Sequence, residues 1–152
     1  MRRVPLILVV LSLVPAAACG SGDEAGAGHL DMADLRDSSW SEQFAAPARP
    51  LRGRLTVQPD GCVNVVVEGV ERHPFWPDGT EVGPDPDEPG RYLVDLPGDL
   101  TLATGDEFTA SGVVAPGAAA STDPPGKVES FLEFCGVEAA PVAFPDAGTF
   151  AR

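Results

Sequence analysis

The sequence predicts an all-β fold, namely a small single-domain barrel of the OB type or a sandwich, with six to seven short strands and one disulfide. From residue 51 onward, short runs of valine, leucine, threonine and phenylalanine alternate with turns that hold many of the chain's 16 prolines and 17 glycines. Strands that recur roughly every 8–12 residues between such turns are typical of these two architectures. Both architectures avoid the long open edges on which sheets associate.

Each predicted strand ends at a recognisable turn. Alternation is clear in residues 62–67, where Val63, Val65 and Val67 share one face. In the turn at residues 77–79, proline fixes φ and glycine accepts a positive φ. In chain order the predicted strands are residues 53–58, 62–67, 75–76 with a continuation at 80–82, 91–96, 100–103, 107–114 and 127–137.

The first 18 residues have the three parts of a secretory signal peptide. Arg2 and Arg3 supply the positive charge, residues 4–14 form an apolar run, and small residues precede Cys19. The run is far shorter than the ~20 residues that a membrane-spanning helix needs. The sequence therefore predicts export rather than a transmembrane anchor.

Residues 16–19, Ala-Ala-Ala-Cys, resemble the lipobox of bacterial lipoproteins. In that family the cysteine receives a diacylglyceryl group, and the chain is cut just before it. The resemblance implies lipidation at Cys19 and an anchor on the extracytoplasmic face of the cell membrane, held stably once two or more acyl chains are attached. The alternative is an ordinary signal peptide that is cut after Ala18 and leaves Cys19 as a thiol.

These features divide the chain into four predicted parts. Residues 1–18 are the signal peptide, and residues 19–50 are the lipidated cysteine with a flexible acidic tether that contains at most one helical turn, near Asp31. Residues 51–137 form the β domain, whose size is common for a single domain. Residues 138–152 are expected to be a poorly ordered tail.

Cys62 and Cys135 are predicted to form a disulfide. They are the pair that remains of the chain's three cysteines once Cys19 is lipidated, and paired cysteines in an exported chain form disulfides. The alternatives are two free thiols or a two-cysteine metal site. A metal would need further ligands, and His73 is the only histidine in the predicted domain.

The charge of the chain disfavours nucleic acid as a partner. Beyond residue 18 there are 8 basic against 23 acidic side chains, and hence a formal charge of −15. Such a surface repels phosphates and anionic lipid headgroups. The lipid anchor is therefore the predicted contact with the membrane, and a protein or cell-envelope ligand remains open.

The sequence contains no pattern for catalysis, for a cofactor or for a metal. His29 falls in the tether, and His73 precedes a proline in a turn-like stretch, where a solvated histidine is expected. The acidic loop with Asp85, Asp87 and Glu88 lacks the glycine-containing calcium pattern and is expected to stay solvated. We therefore predict no catalytic residue, no metal ligand and no cofactor.

Phe75 and Trp76 are the two large aromatic residues beside a predicted turn. They either cap the end of the barrel or form an exposed contact for a partner, since tryptophan is enriched at binding hot spots. Because adjacent residues of a strand alternate, we expect the two side chains on opposite faces. The capping role is the preferred interpretation.

Several motifs together resemble a group of small envelope lipoproteins of high-GC Gram-positive bacteria, over about residues 52–137. The motifs are Gly61-Cys62, Trp76-Pro77-x-Gly79-Thr80, Gly105-Asp106 and the late Cys135. The resemblance implies an envelope location and a β fold, and it implies no active site. We expect a non-catalytic binding or structural domain of an extracytoplasmic lipoprotein. The alternative is a small metal-dependent or carboxylate-based envelope enzyme.

Overall fold

The computed structural model describes residues 28–117, 124–135 and 137–152. These residues are mostly β, with ten strands in one seven-stranded and one three-stranded sheet. The all-β prediction is confirmed. Both sheets are open, so the prediction of a closed OB-type barrel is wrong. The predicted signal peptide and Cys19 lie outside the described residues.

Seven predicted strand segments lie close to observed strands, namely β2, β3, β5, β6, β7, β8 and β9. The strands are β1 (Leu30–Asp31), β2 (Arg49–Val57), β3 (Val63–Val67), β4 (Val70–Arg72), β5 (Pro74–Trp76), β6 (Glu81–Pro84), β7 (Tyr92–Leu96), β8 (Leu100–Ala103), β9 (Glu107–Val114) and β10 (Val142–Ala143). The helices are α1 (Met32–Arg36) and α2 (Lys127–Cys135), with 3-10 turns at Ser41–Phe44 and Ala147–Thr149.

The larger sheet has the strand order β1-β5-β10-β9-β2-β3-β4, and the smaller sheet has the order β6-β7-β8. β5 runs parallel to both of its neighbours, whereas the other pairs are antiparallel. Only His73 separates β4, at one end of the sheet, from β5, near the other end. The backbone holds His73 at this junction, because its carbonyl accepts a hydrogen bond from the Val142 amide at 3.0 Å.

The main core joins the two sheets. Its residues come from alternate positions of the strands, as expected when one face of each strand is buried. The burial of apolar side chains between the sheets supplies the main stabilisation of the fold. The members are Leu51, Leu55, Val63, Val65, Val67, Trp76, Val94, Leu96, Leu102, Phe108, Ala110, Val142, Phe144 and Phe150.

A second cluster packs α1 and α2 against the larger sheet. Its buried members are Leu30, Leu35, Phe75, Val128 and Ala143, with Met32, Trp40, Phe44, Phe131 and Leu132 packed around them. The prediction of a tether that extends to residue 50 is therefore wrong, since residues 30–50 contribute a strand and a helix to the fold. The sequence does hold the reason: Asp31 and Asp34 form a capping box that starts α1.

Residues 127–137, predicted as the last strand, form the helix α2 instead. Val128, Phe131, Leu132 and Cys135 are spaced i, i+3, i+4, i+7, which is the pattern of one helix face. This face packs inward, whereas Phe134 points away and is 57% exposed. The apolar content of this segment suggested a strand, but the spacing of its apolar residues is that of a helix.

The C-terminal segment, predicted as a poorly ordered tail at 138–152, is part of the core. β10 lies between β5 and β9, and Val142 and Phe144 are fully buried. The ring of Phe144 lies 5.3 Å from that of Phe150 and 6.0 Å from that of Trp76. The prediction was wrong because the segment supplies only two strand residues, too few for an alternating pattern to be visible.

The predicted disulfide between Cys62 and Cys135 is present. Its Cα atoms lie 5.7 Å apart, and both residues are 1% exposed. The bond joins the residue before β3 to the last residue of α2. It therefore links the helix covalently to the larger sheet, between residues that are 73 positions apart in sequence.

Candidate functional site

The structure places Phe75 and Trp76 in the interior, so the prediction of an exposed partner contact at these residues is wrong. Both side chains are 0% exposed. They lie on opposite faces of β5, as predicted: Trp76 belongs to the main core and Phe75 to the second cluster. The Phe75 ring packs edge-on against Phe44, with 5.5 Å between the ring centroids. Neither residue can contribute to a surface site.

His73 is also buried, contrary to the expected solvated loop position, because it connects two strands rather than forming a turn. Its side chain is sandwiched between Phe131, at 4.9 Å between centroids, and Asn64, whose Oδ1 lies 3.0 Å from Nδ1. Asn64 in turn donates to Glu71 at 3.1 Å. Within the described part of the chain, Nε2 of His73 has no hydrogen-bond partner.

The pKa of His73 is lowered to about 3, first by burial and then by the positive charge of His29. The imidazole is therefore neutral near pH 7. Because the ring is covered from solvent, it is a poor candidate for a general base that must contact an external substrate. Its role in the fold is that of a neutral packing and hydrogen-bonding group.

We expect this histidine to make the domain less stable in mild acid. Between about pH 3 and the unfolded-state value of about 6.5, the unfolded chain binds one proton more than the folded chain, so stability falls as the pH falls through this window. The loss approaches about 1.4 kcal/mol per pH unit, or about 2 kcal/mol between pH 7 and pH 5. Denaturant unfolding at both pH values, compared with that of His73→Gln, measures it. The same pH dependence in both proteins would contradict the assignment.

The acidic loop between β6 and β7 is held by Arg91 of this same loop region. The guanidinium lies 2.8 Å from Glu88 and 3.6 Å from Asp85, and the hydrogen bond that Arg91 donates to the Glu88 carboxylate raises the pKa of Arg91. Asp87 donates its backbone amide to the Asp85 carboxylate at 2.9 Å. The carboxylates of Asp85 and Glu88 thus face the guanidinium group of Arg91. Nowhere in residues 28–117, 124–135 and 137–152 do three or more potential metal ligands come together.

A groove lies on the solvent side of β2 and β9. Its volume is about 540 Å³, which lies within the range of small-molecule sites. We call it the arginine groove. It is lined by Arg52, Gly53, Arg54, Val66, Glu68, Gly69, Glu107, Phe108, Thr109 and Arg152.

The register of the strands assembles this groove. Arg52 lies opposite Thr109 on β9, and Arg54 lies opposite Glu107 on β9 and Val66 on β3. The arginines are exposed because they alternate with buried residues along β2. The groove is thus built on paired strands of the sheet rather than on a free loop.

Gly53 makes the base of the groove rigid. It is paired with Phe108, and a Cβ atom at this position would lie only 2.8 Å from Cε1 and 2.9 Å from Cε2 of that ring. Since Phe108 is buried in the main core, the ring has little room to move away. The missing side chain at residue 53 therefore lets the aromatic ring close against β2 directly beneath the two arginines.

The two central arginines differ from the other basic residues in having no partner. Of the eight basic side chains beyond residue 18, those of Arg36, Arg49, Arg91, Lys127 and Arg152 pair with carboxylates, and that of Arg72 donates to the Ala140 carbonyl. Within the described ranges, Arg52 and Arg54 have neither an ion pair nor a side-chain hydrogen bond. Although the chain has 23 acidic residues, the described residues leave these two arginines of β2 unpaired in one groove.

Sequence reasoning did not identify this site, although part of its signal was visible. Arg52 and Arg54 alternate with Leu51 and Leu55 in a predicted strand, which already places both arginines on the outer face. The groove walls come from β9 and from Arg152, far along the chain. The sequence offered no sign that these parts would meet.

None of the helices in the described residues combines the length and the apolar character needed to cross a bilayer. Comparisons with protein-family models, with curated proteins and with solved structures found no match to this chain.

Proposed function

We propose that the chain is a lipid-anchored, extracytoplasmic domain that binds a ligand of the cell envelope in the arginine groove and does not catalyse a reaction. The signal-like first 18 residues and the Ala-Ala-Ala-Cys motif that ends at Cys19 support the anchor. The binding role rests on one observation, the unpaired Arg52 and Arg54 in a groove of ligand size. Exposed charges that converge on a rigid surface are typical of recognition sites.

The revised start of the fold brings this domain close to its anchor. Eight residues lie between Cys19 and Gly28, where the described domain begins, so nine Cα–Cα steps join the two. A chain of that length spans at most about 32 Å even when fully extended. A ligand of the groove would therefore be met near the membrane surface rather than deep in the envelope.

An enzymatic role has less support. A carboxylate- or metal-based reaction would need a gathered set of acidic groups, and the acidic loop directs Asp85 and Glu88 to Arg91 instead. His73 is covered by Phe131. The groove itself offers two guanidinium groups and the carboxylates of Glu68 and Glu107, a set that suits binding and charge neutralisation better than proton transfer.

Intact-mass analysis of the protein extracted from membranes tests both parts of this proposal. We expect a covalent diacylglyceryl increment that is lost in Cys19→Ala and kept in Ser21→Ala. Under native conditions we expect a second, non-covalent increment that is lost in Arg52→Gln/Arg54→Gln. Arg36→Gln, which removes an exposed arginine of α1 that does not line the groove, should keep it.

Two results would contradict the proposal separately. A Cys19→Ala protein that still fractionates with membranes would refute the lipid anchor. A native mass that is identical in the wild type and in the double arginine variant would refute binding in the groove. Both arginines are exposed, so we expect the double variant to fold with a stability within about 0.5 kcal/mol of wild type.

A further inference from the structure

We infer that the ligand of the arginine groove presents one compact oxyanion, a carboxylate or a phosphate group, to Arg52 and Arg54 together. The inference rests on the proposed function, because it names the chemistry of the ligand at that same groove. The guanidinium group is a planar fork of N–H donors that matches the oxygens of either anion with paired hydrogen bonds. Its charge persists at any physiological pH.

The spacing of the two arginines suits a shared anion. They stand two residues apart on β2, so their side chains leave the same face, with Cα atoms about 7 Å apart. Both residues line the groove. Long, flexible side chains at this separation can close on a single group from two sides. The Thr109 hydroxyl, opposite Arg52, adds a neutral hydrogen-bonding group at the same level.

Two acids near the arginines, Glu68 and Asp106, already have basic partners. Arg49 holds Glu68 at 2.7 Å, and Arg152 holds Asp106 at 2.9 Å while also donating to the Thr101 carbonyl. Of the two acids that line the groove, Glu68 is thus held by Arg49, whereas Glu107 forms no ion pair within the described residues. An incoming oxyanion would meet the free guanidinium groups of β2 without having to break an ion pair.

The surrounding charge limits the ligand to a compact anion. Three basic and two acidic side chains line the groove, so its local excess of positive charge is small. Glu107, opposite Arg54, would repel a second negative group, and the rest of the chain is strongly acidic. A long polyanion would press repeated charges against that surface and be repelled. A single carboxylate or phosphate on a neutral body, which could rest on Val66, avoids this cost.

Nuclear magnetic resonance of the arginine Nε–Hε groups, on the lipidated full chain in neutral detergent, tests the inference. The probes are inorganic phosphate and N-acetylglycine, each titrated against sodium chloride at equal ionic strength. We expect saturable shifts at Arg52 and Arg54 with at least one probe, no comparable shift at Arg36, and no saturation with chloride. The backbone amide of Thr109, which lines the groove in every variant, reports the dissociation constant. This constant should rise about tenfold or more in Arg52→Gln/Arg54→Gln, and it should change by no more than about twofold in Arg36→Gln.

The two probes also separate the possible sources of the oxyanion. Saturation with phosphate alone assigns a phosphate group to the ligand, and saturation with N-acetylglycine alone assigns a carboxylate. Shifts that grow linearly, that equal those at Arg36, or that chloride reproduces would overturn the inference. If the native-mass increment is still lost in the double variant while both titrations fail, the groove binds a ligand of another chemistry. The proposed function would then stand without this inference.

Discussion

Loss of the Cys62–Cys135 disulfide is expected to lower the free energy of unfolding by about 4 kcal/mol. The bond joins residues 73 positions apart in sequence, and closing a loop of that length removes much of the conformational freedom of the unfolded chain. Small domains are stable by only about 5–15 kcal/mol. The bond therefore contributes a large fraction of the stability of this fold. Denaturant unfolding of Cys62→Ala/Cys135→Ala measures the loss.

The reduced wild type provides the matched control for the double alanine variant. Excess reductant in the unfolding experiment should destabilise the wild type by a comparable amount and leave the double variant unchanged. If the variant unfolds within about 1 kcal/mol of the oxidised wild type, packing of α2 rather than the covalent link holds the helix in place.

Truncation of either core aromatic on β5 should cost about 3–5 kcal/mol, whether in Phe75→Ala or in Trp76→Ala. The sequence predicted the two side chains on opposite faces of the strand, and if only one face were covered, one of the two residues would tolerate substitution. The structure changes this expectation. Trp76 packs near Phe144 and Phe150 in the main core, and Phe75 packs under the two helices in the second cluster. Both faces of β5 are therefore covered.

Phe134→Ala serves as the control for the two β5 variants. This aromatic side chain is 57% exposed on α2, so its truncation should change stability by no more than about 0.5 kcal/mol. Denaturant unfolding of the three variants side by side gives the comparison. A near-neutral result for Phe75→Ala would mean that the second cluster contributes little to stability.

The strands with local signals were predictable from the sequence. β2 and β9 alternate in burial over most of their length, and the turns beside the strands carry Gly61, Gly79, Gly98 and Gly105 at positive φ. Glycine adopts this region without steric cost, so each of these turns marks the end of a strand. The all-β class follows from these features.

The elements that the sequence misassigned depend on partners far along the chain. β10 has only two residues, too few for a periodic pattern, and it forms because it pairs with β5 and β9. The order of the strands in the larger sheet depends on His73, where the chain passes from β4 at one end of the sheet to β5 near the other end. α2 differs from these elements, because its helical spacing of Val128, Phe131, Leu132 and Cys135 is a local feature of the sequence.

Only part of the candidate site was predictable from the sequence. Alternation in β2 places Arg52 and Arg54 on the exposed face. Whether an arginine has a partner depends on the whole fold, because ion pairs such as Arg36–Asp78 and Arg152–Asp106 join residues that are far apart in sequence. Only the structure shows which basic residues remain unpaired and that they share a groove.

Photo-cross-linking in intact cells tests most directly whether this groove binds a ligand. A photoreactive residue in place of Thr109, which lines the groove, is compared with one in place of Asp95, which is exposed on the smaller sheet. We expect a specific cross-linked product at residue 109, none at residue 95, and loss of the product when Arg52 and Arg54 are both replaced by glutamine. Equal products at both positions, or a product at residue 109 that survives the loss of both arginines, would contradict the assignment of the groove as the binding site.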